Sequence, residues 1–198
     1  MAFTPTLGKF GVPTELGQTG NGILMPKLGY RFRVLLTNFG TPGSALDVTR
    51  QVVSCTRPKA QQQEVDIHAY NNIMYVGGKT SWQTIQLVIR DDITNSSGGF
   101  VSTQWQQQMN HFDQTQPAAG INYKFMMNIQ TMDGGDTNVL ENWYLEGCWL
   151  TDVDWESFDY TKNEPIQITM TIRYDNAQQD STIMPQSVSS IVPGSTAG

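Results

Sequence analysis

Charge is scarce in this chain. Asp, Glu, Lys and Arg make up 15% of its 198 residues, well under the ~25% of an average soluble domain. Gln, Asn, Thr and Ser take their place, a composition suited to β-structure and polar contact surfaces. Histidine and cysteine are almost absent: His68, His111, Cys55 and Cys148 are the whole complement. Neither histidine sits at metal-ligand spacing with other donors, and the cysteines form no Cys-x-x-Cys pair, so no metal or redox motif is present. Two distant cysteines read as reduced core thiols, although spacing alone leaves a disulfide open. No Gly-x-Ser-x-Gly elbow supports a Ser-His-Asp hydrolase. No apolar run reaches the ~20 residues a spanning helix needs, and residues 1–20 lack the basic-then-apolar order of a signal peptide. The chain is therefore expected to have no membrane association. An excess of basic residues is missing too. The net charge of -6 argues against a nucleic-acid clamp.

What chemistry could be assembled is weak. Gly17-Gln18-Thr19-Gly20-Asn21-Gly22 follows no strand and opens no helix, so it does not read as a phosphate cradle. Asp152, Asp154, Glu156 and Asp159 could supply the paired carboxylates of a glycosidase or oxygens for Ca²⁺, as could Asp133 and Asp136. Trp149 and Trp155 beside these acids would suit a sugar-binding platform. The plainer reading is a charged edge or turn that discourages unwanted strand pairing. The expectation is no catalytic residue, no metal, no cofactor and no enzymatic activity.

Charge is also unevenly placed. Residues 1–132 hold ten Lys/Arg against seven Asp/Glu, a net +3, whereas residues 133–175 hold two against ten, a net -8. Such a division gives one chain complementary surfaces, which suits head-to-tail self-association.

The hydrophobic pattern is that of strands. Ile166, Ile168, Met170, Ile172 and Tyr174 alternate without a break against Gln167, Thr169, Thr171 and Arg173, the signature of a half-buried strand. Residues 140–150 form a second, looser one. Further strands are predicted over 28–38, 48–56, 79–90 and 122–132. One helix is predicted over 100–112, where Phe100, Val101, Trp105, Met109 and Phe112 share a broad face and Ser96 or Ser97 would cap the start. The fold class expected is mainly β: an antiparallel β-sandwich or barrel with one α-helix at an end. Residues 1–26 and 176–198, rich in Gly, Pro and small polar residues, read as arms with no core of their own. They flank a domain over 27–175.

Several of these segments carry a family resemblance. Gly147-x-Trp149-x-Thr151-x-Val153, then Asp159 with Asn163-Glu164-x-Ile166, then the alternating strand ending at Tyr174, resemble the C-terminal end of tail-tube proteins of contractile-tailed bacteriophages. Val52-Val53-Ser54-Cys55-Thr56, Tyr75-Val76-Gly77-Gly78 leading to Trp82, the Asp91-Asp92 break and a helix bearing Trp105 follow in the same order as in that family. The resemblance implies a structural virion protein that forms hexameric rings stacked into a hollow tube inside a contractile sheath. Its implied partners are copies of itself, the sheath protein, baseplate and tail-terminator proteins, and the tape-measure protein and genomic DNA in the lumen, the last two without tight binding. The implied location is the virion tail, assembled in the host cytoplasm. The same fold would serve a baseplate tube or a type VI secretion tube. A carbohydrate-binding β-sandwich is the alternative of another class.

One segment stands out from the strand pattern. Residues 57–78 join two strands that two to five residues could have joined, and long insertions in compact domains are usually functional or disordered. Ile67, Tyr70, Ile73, Met74, Tyr75 and Val76 are too apolar for a solvated loop. An extended hairpin whose apolar residues need a partner is one reading. The resemblance implies that this segment makes the contact between stacked rings.

Overall fold

The computed structural model describes residues 27–41, 43, 45–109, 123–133 and 139–180. The chain divides into a unit Met1–Tyr30 and a unit Arg31–Gly198, and all the described strands and the described helix belong to the second. The arm predicted over 1–26 and the tail beyond 180 lie outside the described residues.

In chain order the elements are β1 (Phe32–Thr37), β2 (Ala45–Asp47), β3 (Val52–Cys55), β4 (Ala60–Ala69), β5 (Asn72–Trp82), β6 (Ile85–Arg90), α1 (Ser96–Gln108), β7 (Phe125–Met132), β8 (Val139–Asp154), β9 (Gln167–Arg173) and β10 (Asn176–Gln179). The architecture is mainly β and antiparallel with one helix among the described residues, as the alternation predicts. Neighbouring strands follow the order β2-β1-β7-β8-β9-β6-β3, with β10 also pairing β8, while β4 and β5 form a separate two-stranded sheet. No described ladder joins β2 to β3, so the main sheet is sandwich-like and not closed into a barrel.

The 16-residue β8 links the two halves of this sheet. Its first part pairs β7 on one edge and β10 on the other. Its last part pairs β9. The change occurs at Gly147, whose φ of 65° is left-handed, a conformation glycine adopts at little cost. A bulge between Leu150 and Asp152 then resets the alternation, so Val153 sits opposite Met170 while Asp152 and Asp154 pair with Thr171 and Thr169. For this reason the strand runs on through Asp152 and Asp154, past the end at residue 150 expected from the sequence.

The core is filled from both halves. Val34, Leu36, Phe125, Met127, Leu145 and Leu150 meet Ile85, Leu87, Ile89, Ile168, Met170 and Ile172, all essentially without solvent exposure. The alternation read from Ile168 to Tyr174 is thus the observed one, whereas Ile166, read as its first buried residue, precedes β9 and is exposed. Phe39 and Phe125 pack edge to face with ring centroids 4.9 Å apart, a favourable aromatic geometry.

The helix differs from its expectation. It starts four residues earlier, at Ser96, and ends at Gln108. Neither Ser96 nor Ser97 caps it. Asn95, in left-handed backbone at φ 53°, occupies the cap position, and the Asp92 carboxylate accepts from Ser96 N at 3.0 Å and Ser96 Oγ at 2.7 Å. Its inward face is not the Met and aromatic face alone. Gln104 is fully buried because its Oε1 accepts from Gly40 N at 2.9 Å and its Nε2 donates to Tyr123 O at 2.7 Å. Strand pairing also extends past residue 175. Asn176–Gln179 continue along β8 as β10, in a stretch where the sequence loses its period.

Candidate functional site: an exposed apolar hairpin

The hairpin that the apolar content of residues 57–78 suggested is present and runs from Ala60 to Trp82. β4 and β5 pair from Ala60 opposite Trp82 to Ala69 opposite Asn72. Tyr70 and Asn71 make the turn, with Tyr70 at φ 50°. β5 runs through Gly77-Gly78, so the strand expected over 79–90 is divided between the end of β5 and β6. A register shift between Gln62 and Glu64 lets β5 continue to Trp82. The glycines permit it: a Cβ at Gly78 would lie 3.0 Å from the Gln63 carbonyl oxygen, and one at Gly77 would lie 2.7 Å from Gln62 Nε2.

The root of the hairpin is anchored. Gln83 N donates to Lys59 O at 2.9 Å, and the Trp82 ring lies 5.8 Å from that of Tyr174, centroid to centroid. Just before the hairpin, Arg57 pairs with the Glu141 carboxylate, which is itself buried in β8 and also accepts from Trp143 Nε1.

Beyond the root no described residue outside the hairpin covers it. Its ten β4 residues are all exposed. On β5, Tyr75 retains 65% of its accessible surface and Met74 57%. All six residues singled out from the sequence, Ile67, Tyr70, Ile73, Met74, Tyr75 and Val76, are exposed here. The register divides them. Val65 faces Val76 and Ile67 faces Met74 across the ladder, while Asp66 faces Tyr75 and His68 faces Ile73. Directly opposed residues of an antiparallel pair project to the same side. One face therefore carries Val65, Ile67, Ala69, Met74 and Val76, with Asn72 at its tip, and no carboxylate. The other carries Glu64, Asp66, His68, Ile73 and Tyr75. Val65 belongs to the apolar face although the site assignment from sequence omitted it; its alternation with Ile67 and Ala69 was the available signal. A two-stranded ribbon exposing such a face is marginal in water by itself.

Of the other candidate acids, Asp159, Asp154 and Glu156 are engaged in local structure, and Asp136 lies outside the described residues. Asp159 accepts from Thr161 N at 2.9 Å and Thr161 Oγ1 at 2.8 Å, which holds its carboxyl below the usual range. Asp154 accepts from Glu156 N, and Glu156 accepts from Gln167 N and pairs with Lys162. These acids shape the turn between β8 and β9. No group of three or more His, Cys, Asp or Glu is placed to hold a metal among the described residues. Cys55 and Cys148 are both free, and burial pushes each thiol up to about 12, far from a reactive thiolate.

No family model matches the chain, and no curated protein matches it in sequence. Solved structures do match in fold. A chain of the anti-feeding prophage cap, the cap that terminates its tube, superposes with a TM-score of 0.64 at 16% identity, covering 84% of this chain and 99% of the other. A chain of the six-fold symmetrised anti-feeding prophage baseplate gives 0.62 at 12% identity, covering 79% and 97%. A chain of the sheath–tube complex of the PVC extracellular contractile injection system, in its extended state, gives 0.60 at 15% identity, covering 80% and 93%. The fold is thus shared with chains of the anti-feeding prophage and of the PVC contractile injection system.

Proposed function

We propose that this protein is a non-catalytic structural subunit of the tube of a contractile phage tail, forming six-fold rings that stack into a hollow conduit. The observation that carries the reading is the β4–β5 hairpin: a long ribbon with one largely apolar face, exposed on a fold shared with chains of tube, cap and baseplate assemblies. Burying side chains such as Ile67, Met74 and Val76 between copies would contribute ~1.5–3 kcal/mol for each one fully buried. Repetition along a polymer multiplies that gain. Ile67, Tyr70, Ile73, Met74, Tyr75 and Val76 make the contact between successive rings. The sheath, the baseplate and a terminator cover the outside and the ends, and the tape-measure protein and then the genome occupy the lumen in the assembled virion.

The outward side of β6, β9 and the end of β8 carries Gln86, Thr169, Thr171, Asp152 and Asp154, with Arg90 and Arg173 among them. Mixed charge at low density gives a polyanion neither a phosphate clamp nor strong repulsion. Such a surface suits a conduit. A second reading, a terminal or baseplate ring of the same machine, is favoured by the likeness to the cap and baseplate chains.

Negative-stain electron microscopy of the purified protein tests the proposal. Stacked rings or tubes are expected at high protein concentration. A protein that stays monomeric at every concentration, by light scattering and in micrographs, would contradict it. Single rings that never stack would favour the terminal-ring reading.

A further inference from the structure

We infer that the connection between β8 and β9, residues 155–166, is the surface that receives the apolar hairpin face of a second copy of this chain. The inference rests on the tube reading and adds the missing half of the contact.

The connection shows the solvent a second apolar group. Phe158 and Tyr160 are almost wholly exposed, at 89% and 110%, and Trp155 and Ile166 are also exposed. Aromatic side chains of this size are the usual anchors of a protein–protein contact. They stand on a tied-down loop. Lys162 N donates to Asp159 O at 3.2 Å, Asp159 takes both donors of Thr161, and Gln167 N donates to Glu156 Oε2 at 2.8 Å. An ordered loop loses less conformational entropy when a partner covers it.

Its position relative to the hairpin follows from strand register. Ile85, at the start of β6, pairs with Ile172 near the end of β9; Arg90, at the end of β6, pairs with Gln167 at the start of β9. The hairpin root at Trp82 and Gln83 therefore joins one end of this strand pair. The connection 155–166 leaves the other, where Ile166 O accepts from Asp91 N. About 17 Å of strand separates them. Two different apolar surfaces thus lie at opposite ends of the same two strands.

Charge matches the two surfaces. Glu156, Asp159 and Glu164 outnumber Lys162 in the connection. The apolar hairpin face has no carboxylate, and the exposed Lys59 and Lys79 flank the hairpin root. Hairpin against hairpin would be a self-complementary contact and would stop at a dimer. Hairpin against the far connection is head to tail, so each added copy presents a new free hairpin. That property is the one a growing tube needs.

Disulfide trapping tests the pairing. A chain carrying both Phe158→Cys and Met74→Cys is assembled and mildly oxidised, beside the parent and each single variant. The expected result is a ladder of covalent multimers on a non-reducing gel from the double variant alone. Tubes in micrographs without such a ladder would overturn this pairing and leave the tube reading intact; a parent protein that forms no tubes would overturn both. Should the double variant fail to fold, charge exchange decides. Glu164→Lys and Lys79→Glu should each raise the concentration needed for assembly several-fold, and the combined variant should restore it. A lack of restoration would overturn the pairing.

Discussion

Gln108, the last residue of α1, holds both backbone groups of Leu150. Its Nε2 donates to the Leu150 carbonyl at 2.8 Å, and its Oε1 accepts the Leu150 N–H at 2.9 Å. Leu150 adjoins the β8 bulge, so the amide serves a backbone that the local ladder leaves open. Gln107 Nε2 likewise donates to Gly40 O at 2.5 Å. The helix docks by glutamine amides as much as by apolar side chains. Gln108→Ala removes both partners at once and leaves a half-buried N–H and C=O unsatisfied. The expected loss is about 1–3 kcal/mol, read as a lower urea midpoint with an unchanged slope. A loss below about 0.5 kcal/mol would mean that solvent replaces the amide.

The start of the same helix should respond to acid. Asp92 receives the Ser96 hydroxyl, the Thr94 hydroxyl, the Ser96 N–H and the Gln51 amide, and its carboxyl is held down at about 2, the Ser96 hydroxyl being the largest cause. A pKa below that of the unfolded chain means that the folded form binds the proton less tightly. Asp92 therefore contributes its full stability above about pH 4, and loses it as the pH falls through about 2. Asp92→Ala is expected to lower the thermal midpoint at neutral pH. The gap from the parent should narrow between pH 4 and pH 2. A gap independent of pH would show that the carboxylate's charge is not what holds the helix start.

Gly147 supplies a test of the passage between sheet halves. Its φ is left-handed, and an added Cβ would run into the Asp175 carboxylate, which pairs with Lys124 Nζ at 2.5 Å. Gly147→Ala should cost about 1–2 kcal/mol from backbone strain alone. The side chain of Asp175 can turn aside, so Gly147→Ala combined with Asp175→Ala should recover only the part due to the clash. Equal stability of parent and Gly147→Ala by chemical denaturation would exclude a strained left-handed residue here.

The legible parts of the fold were those where period and burial agree. β9 could be read residue by residue because Ile168, Met170 and Ile172 all face the core. β2 could not, being three residues long. The extension of β8 through Asp154 was hidden by the bulge after Leu150, which puts an acid where simple alternation expects otherwise. The helix starts four residues before its expected start because Asp92 and Asn95, not an apolar residue, set its first turn, and the buried Gln104 of its inward face looks like a surface residue unless its two backbone partners are known. β10 has only Ala177 buried, too little to mark a strand. For the candidate site, apolar content alone located the hairpin. Its division into two faces needed the register, which cross-strand pairing sets and the sequence does not state.

That division gives the last prediction. Ile67 and Met74 face each other on the apolar side, and both are already exposed, at 42% and 57%. Replacing both with Asp removes no core contact, and surface changes of this kind usually alter stability by under about 0.5 kcal/mol. The thermal midpoint and the β-rich circular dichroism spectrum should therefore match those of the parent. Assembly should not survive. Two carboxylates placed at the centre of a contact would have to be buried without partners, and each such burial costs several kcal/mol. The expected particle is a folded monomer or a single ring, with no tube in micrographs. Ile73→Asp with Tyr75→Asp places the same charge on the opposite face, beside Asp66 and His68. If the two faces serve different contacts, this variant should shorten tubes or raise the assembly concentration without abolishing assembly. Normal tubes from Ile67→Asp/Met74→Asp would show that the apolar face takes no part in stacking, whatever the opposite face does.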